Sequence, residues 1–194
     1  MDGPAAPDVE ALDRARHGDK DALAALFRAL QPQLLRYLRG RLPDAAEDLA
    51  AHTWLDAVRN LHRFTGGPED FRRWLFTIAR RRVQDELRRR ARRPEVVTES
   101  PPEVATEDAL QVRDDLARAL ALVRRLPDDQ ADAVLLRVVA GMDVSQVAEV
   151  MGRSEGSVRV LVHRGLHRLR DQVGLDGVDV AVTRADPAAM KAAR

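Results

Sequence analysis

The segment Asp143 to Arg170, DVSQVAEVMGRSEGSVRVLVHRGLHRLR, places the tightest constraint on what this chain can fold into. Its pattern predicts a short helix, a turn and a longer basic helix, the order of a helix-turn-helix. Ala148 is small enough to let the first helix approach the second. Gly152 can take the positive φ that a tight turn demands, and Val158 falls between the two helices. Ser154 and Ser157 are both residue types that start helices. Beyond Val158, apolar side chains recur at Leu161, Val162, Leu166 and Leu169 with a helical period. The other face carries Arg159, His163, Arg164, His167 and Arg168. A helix apolar on one side and cationic on the other, braced by a second helix, suits a DNA major groove. Tight helix pairs that never meet DNA share this packing, so the remaining sequence has to decide.

A length of 194 residues allows one domain or two small ones. Charged residues make up 32% of the chain, and no apolar run is long enough to span a bilayer. The N-terminus, MDGPAAPDVEALD, lacks a basic region followed by an apolar block, so a cytoplasmic location is expected. There is no cysteine, which excludes disulfides, thiolate catalysis and thiolate zinc sites within the chain. His163 and His167 have a spacing that can hold zinc. However, the residues between them are Arg164, Gly165 and Leu166, with no glutamate to act as base, and the nearby arginines repel a cation. His17, His52 and His62 are scattered. Accordingly no metal, no cofactor and no catalytic residue is expected, and the chain reads as a non-enzyme.

The net charge of +1 conceals segregation. From Arg72 to Arg93, ten arginines face only Asp85 and Glu86. From Glu95 to Asp115, seven acids face only Arg113. Blocks of this kind imply separate tasks for separate segments.

Helical periodicity runs nearly throughout and no stretch alternates like a half-buried strand, so the fold class is all-α. A first helix is expected at Asp8 to Arg16. A longer one follows from Asp19 to Leu42, capped by Asp19, with Leu23, Leu26, Phe27, Leu30, Leu34, Leu35 and Leu38 inward and a bend at Pro32. Asp44 is expected to cap a helix to Leu61 that buries Leu49, Thr53, Trp54, Ala57, Val58 and Leu61. A loop then leads to Pro68, well suited to a first helical turn. The helix from Pro68 to Arg92 buries Phe71, Trp74, Leu75, Ile78, Ala79, Val83 and Leu87. Further helices are expected at Glu107 to Leu126 and Asp128 to Val139. Four units result: a helical domain over 8–93, a flexible acidic linker over 94–106, a helix-turn-helix domain over 107–173, and a disordered tail over 174–194.

All seven aromatic residues (Phe27, Tyr37, Trp54, Phe64, Phe71, Trp74, Phe76) lie in the first domain. Stacking on rings contributes roughly 1–3 kcal/mol per base, so an aromatic domain beside an arginine-rich helix suits unpaired bases. Trp54, Phe71 and Trp74 nevertheless fall on core stripes. Phe64, in the loop, is the open case.

Ala46 to Phe64 (AEDLAAHTWLDAVRNLHRF), Phe71 to Arg90 (FRRWLFTIARRRVQDELRRR) and Leu126 to Arg170 together resemble bacterial sigma factors of the extracytoplasmic-function (ECF) class. The resemblance implies a dissociable promoter-specificity subunit of RNA polymerase. Its first domain would bind core polymerase and open the −10 element, and its second would read the −35 element. By this resemblance Asp48, Ala51, His52, Asp56, Arg59 and Asn60 face the polymerase clamp. The loop with Phe64 and Thr65, together with Arg73, Thr77, Arg80, Arg81, Gln84 and Arg88, faces the −10 strand. Arg159, Val160, His163 and Arg164 face −35 bases, while Arg153, Ser157 and Arg168 sit near the phosphate backbone. The chain departs from the family at Ala51 (usually Gln), His52 (usually Glu), Val58 (usually aromatic) and Arg81 (usually Asn). An anti-sigma protein is a further implied partner; a small-molecule substrate and membrane insertion are not expected. The rival reading is a free-standing helix-turn-helix regulator, which would bind duplex DNA without polymerase.

Overall fold

The computed structural model describes residues 9–92 and 107–173, with side chains from 115 onward in the second stretch. The expected linker over 94–106 and tail over 174–194 lie outside the described residues. Eight α-helices run in the order α1 (Val9–Arg16), α2 (Lys20–Arg41), α3 (Ala46–Asn60), α4 (Pro68–Arg92), α5 (Glu107–Val123), α6 (Asp128–Val134), α7 (Val144–Met151) and α8 (Glu155–Val173). Among the described residues there is no strand.

Local chemistry explains most boundaries. Asp19 caps α2 by accepting from the Asp21 and Ala22 amides at 2.9 and 3.1 Å. α2 passes through Pro32 without interruption and buries Leu26, Leu30, Leu34 and Leu38. Asp44 does not cap α3 as expected. Pro43–Ala45 form a tight 3-10 turn instead, and the Asp44 carboxylate accepts from Arg90 at 2.6 Å. Two apolar side chains assigned to the core lie outside it: Phe27 and Val58 are each 42% exposed. Leu61–Arg63 make a second 3-10 turn before the loop into α4. α6 continues as one turn of π-helix over Leu135–Val139.

α1 to α4 form one helical unit and α5 to α8 a second. The sequence alone has them engaging separately, joined only by a tether. In the structure they pack against each other, and buried side chains run continuously through both. Gly40 marks the closest approach: a Cβ there would lie 2.8 Å from Leu135 Cδ2. The joint is polar at its centre. Asp132, 1% exposed, accepts from Tyr37 Oη at 3.1 Å and Arg80 Nε at 2.8 Å, and lies 2.9 Å from Arg41 Nε. Arg72, also buried, donates to the Ala140 carbonyl at 3.2 Å and the Gln146 side chain at 3.3 Å. A buried charge is tolerated only when paired and hydrogen-bonded. Asp132 meets that condition through Tyr37 and Arg80, whereas the buried Nε atoms of Arg41 and Arg72 are left without a hydrogen bond.

Candidate nucleic-acid interface

The second unit contains the helix-turn-helix. Asp143 caps α7 through a reciprocal box with Gln146: each side chain accepts from the other residue's amide, at 2.8 and 3.0 Å. Gly152 ends α7 in the left-handed conformation at φ 63°, where a side chain would be strained. Ser154 opens α8 by accepting from the Ser157 amide at 3.2 Å. Val158 and Val162 are buried, with Leu161, Leu166 and Leu169 packed beside them.

That packing leaves one face of α8 uncovered. Arg159, Val160, His163, Arg164, His167 and Arg168 are all exposed. Arg159 pairs only along its own helix, with Glu155 at 2.7 Å. Val160 is 47% exposed, an apolar side chain amid cations. His163 and His167 have ring centroids 6.4 Å apart, and His167 Nδ1 lies 3.1 Å from Asp171. Arg168 reaches Gln130 at 3.1 Å, and Arg153 pairs with Asp129 at 2.6 Å. Ser157 is exposed and bonded to Ser154. Among the described residues no group of three or more His, Asp or Glu side chains is arranged to hold a metal.

In the first unit, a groove of ≈ 800 Å³ opens between the end of α3, the loop and α4. Phe64, Thr65 and Arg81 line it, and so do Asn60, Trp74 and Ile78. Phe64 is not a free platform. Its ring stacks on Trp74 at 5.0 Å and meets Phe71 edge-on at 5.6 Å, half-buried in an aromatic cluster. Trp74 is itself half-buried, so its residual surface belongs to the groove and not wholly to the core.

The rest of the α4 face splits in two. Thr77, Arg81 and Arg88 are exposed. Arg73 and Arg80 are not outward, contrary to expectation, because the second unit covers them. Arg73 Nε lies 3.0 Å from Glu149, and Arg80 pairs with Asp132 and Asp129 at 2.8 and 3.4 Å. Gln84 is half-buried and, with Arg88, borders the crevice between the units. Burial pushes the Asp132 carboxyl above its ordinary value against the pull of Arg41 and Arg80, and pushes the Tyr37 phenol far upward. Arg41 stays above its ordinary value despite burial, because Asp132 and Asp128 favour its charge.

On α3, Asp48, Ala51, His52, Arg59 and Asn60 share an exposed face with Leu55 and Val58. Asp56 departs from it, turning to α4 to pair with Arg82 at 3.0 Å. The exposed apolar pair Leu55 and Val58, 50% and 42% exposed, escaped the sequence reading. Their signal was the interruption of a polar stripe by branched aliphatics; periodicity placed Val58 inward and gave Leu55 no side.

Comparison with known proteins decides the family. Residues 26–93 match the model of sigma-70 region 2, and residues 116–169 match that of sigma-70 region 4. The ECF RNA polymerase sigma factor SigD of Mycobacterium tuberculosis is 30% identical over 167 residues, covering 80% of this chain and 79% of SigD. The chain belongs to the ECF RNA polymerase sigma factors. The ECF sigma factor BldN of Streptomyces coelicolor is 34% identical over 175 residues, 87% of this chain, and the match spans 66% of BldN's length. The fold is that of the sigma factor RpoE of Bartonella quintana, solved with the anti-sigma factor NepR. It matches with a TM-score of 0.60 and 24% identity over 81% of this chain and 97% of that one. A free-standing regulator is not favoured, since that reading leaves the region 2 match over α2 to α4 without a role. Among the described residues no helix is long and apolar enough to cross a membrane.

Proposed function

We propose that this sigma factor divides promoter recognition between the two faces described above. α8 enters the −35 major groove with Arg159, Val160, His163 and Arg164 toward the bases, a guanine pair for an arginine and a thymine methyl for Val160. Arg153, Ser157 and Arg168 hold the phosphate backbone. The groove beside Phe64 and Thr65 receives a base extruded from the −10 strand. Extrusion costs a few kcal/mol, which stacking and hydrogen bonding in the groove must offset. Arg81 and Arg88 neutralise phosphates along α4 and Thr77 hydrogen-bonds beside them; Arg73 and Arg80 add charge, and Gln84 a hydrogen bond, when the second unit moves off them. Core polymerase docks on the α3 face of Asp48, Ala51, His52, Arg59 and Asn60, with Leu55 and Val58 supplying its apolar centre. Asp56 serves that face indirectly, by tying α3 to α4.

The observation that carries this reading is the bare cationic face of α8, fixed by the capped α7 and the left-handed Gly152. The phosphoryl chemistry then belongs to polymerase, so this chain acts in the cytoplasm without turnover, metal or cofactor of its own. RpoE's capture with NepR supports an anti-sigma protein as a second partner. Run-off transcription with purified core polymerase and a genomic promoter library tests the whole. Initiation at a defined set of promoters is the expected result, and folded protein that directs none would overturn it.

A further inference from the structure

The groove lip, Phe64 to Gly67, ends in two consecutive glycines, Gly66 and Gly67. Gly66 sits at φ +135°, a region open to glycine and strained for other residues, and Thr65 is exposed. Three tethers come from α4: the Phe64 ring against Trp74 and Phe71, the Gly67 amide donating to Asp70 at 2.8 Å, and the Gly67 carbonyl accepting from the Phe71 amide at 2.9 Å. A fourth comes from outside this hairpin. Arg16, the last residue of α1, donates from Nη2 to the Gly66 carbonyl and places its guanidinium 5.3 Å from the Phe64 ring centroid. Only 23% of its side chain is exposed, and its Nε is buried without a hydrogen-bond partner. A guanidinium accepts that loss where ring contact and a carbonyl hold it in place. Arg16 also precedes the residues that match sigma-70 region 2.

We propose that Arg16 is a positioning residue for strand capture, fixing the lip of the groove in the form that receives an extruded base. This rests on the groove reading above. Preorganisation is the reason: a base gains from stacking only if the receiving wall is already in place, and a peptide at Gly66 free to rotate dissipates that gain. Arg16 touches both parts of the lip that could move, the Gly66 peptide and the Phe64 ring, and holds them relative to α1. Asp13 lies 3.8 Å from Arg16 Nη1, an ion pair one turn back along α1.

The test uses full-length protein assembled with core polymerase and a pool of short single strands of random sequence. The wild-type holoenzyme should enrich a preferred sequence. Arg16→Ala should lower that enrichment roughly tenfold, leaving holoenzyme assembly and duplex binding by α8 unchanged. Arg16→Lys, which keeps charge and stem but loses the planar fork, should fall between them. It also decides the matter if alanine unfolds α1. Enrichment by both variants within twofold of wild type overturns the proposal. So does equal loss of strand enrichment and core assembly, which would mark Arg16 as merely structural. If Thr65→Ala weakens capture while the Arg16 variants do not, this inference alone falls. If the wild type enriches nothing, the groove reading falls with it.

Discussion

Arg80 of α4 donates Nε–H to Asp132 of α6 at 2.8 Å, across the joint between the two helical units. Asp132 is 1% exposed and is shared with Tyr37 and Arg41. Such a carboxylate cannot be removed without stranding its partners. Asp132→Ala should therefore lower stability by about 3–5 kcal/mol, read as a shifted midpoint in urea unfolding. A double-mutant cycle with Arg80→Ala should be strongly non-additive, the second substitution costing much less than it does alone. Additive losses would mean that the contact carries little energy.

Two buried glycines should respond differently to alanine. A Cβ on Gly165 would sit 2.7 Å from Val134 Cγ2. Valine is stiff at χ1 and cannot swing away. Overpacking of this kind costs about 1–3 kcal/mol, against a gain of about 1 kcal/mol for replacing glycine in a helix. A net loss is expected. At Gly40 the obstructing atoms are the ends of the longer Leu135 and Leu120 side chains, at 2.8 to 3.2 Å. These have more torsions with which to adjust, so Gly40→Ala should cost less. Thermal unfolding of both variants checks the order, and the reverse order would contradict it.

Sequence pattern made the helices and the α8 face legible because both are set by neighbours within a turn or two. The Asp19 cap, the Gly152 turn and the Val158–Val162 stripe all follow from local spacing. The joint was not legible. Arg80 and Asp132 stand 52 residues apart, and nothing in the window around either names the other. The arginine run reads as a face for nucleic acid, and nothing in its own window singles out Asp132. The pairing arises only when the units meet. Val58 failed for a related reason. A helix period identifies which residues share a side, not whether an apolar one at the edge of that side meets the core.

Acid should loosen the far end of α4 before it disturbs the core. Hydrogen bonds from Arg89 and Arg90 lower the Glu86 carboxyl from 4.5 to about 2. Arg90 also holds Asp44 below its ordinary value, tying α4 to the turn before α3. A carboxyl whose folded value is depressed contributes stability that is complete above 4.5 and lost as pH falls toward 2. Glu86→Gln should accordingly flatten the pH dependence of unfolding across that window and lower stability above it. An unchanged slope would show that Glu86 is not held by these arginines.

On the proposed reading, Arg159 and Arg168 separate base reading from backbone grip. Arg159 projects from the first half of α8, engaged only by Glu155, and is free to form a bidentate pair with guanine. Arg168 lies more than two turns further along, beside Gln130 of α6, where a duplex would present phosphates. Arg159→Ala should weaken binding by about 1–3 kcal/mol on the preferred −35 sequence and relax preference at one base position. Arg168→Ala should weaken all sequences alike and reduce the salt dependence of binding by about one phosphate contact. Affinity measured on a panel of single-base −35 variants at several salt concentrations distinguishes the two. Sequence-blind losses from both substitutions would reassign Arg159 to the backbone. Base reading would then fall to His163, Arg164 and Val160, further along the same exposed face.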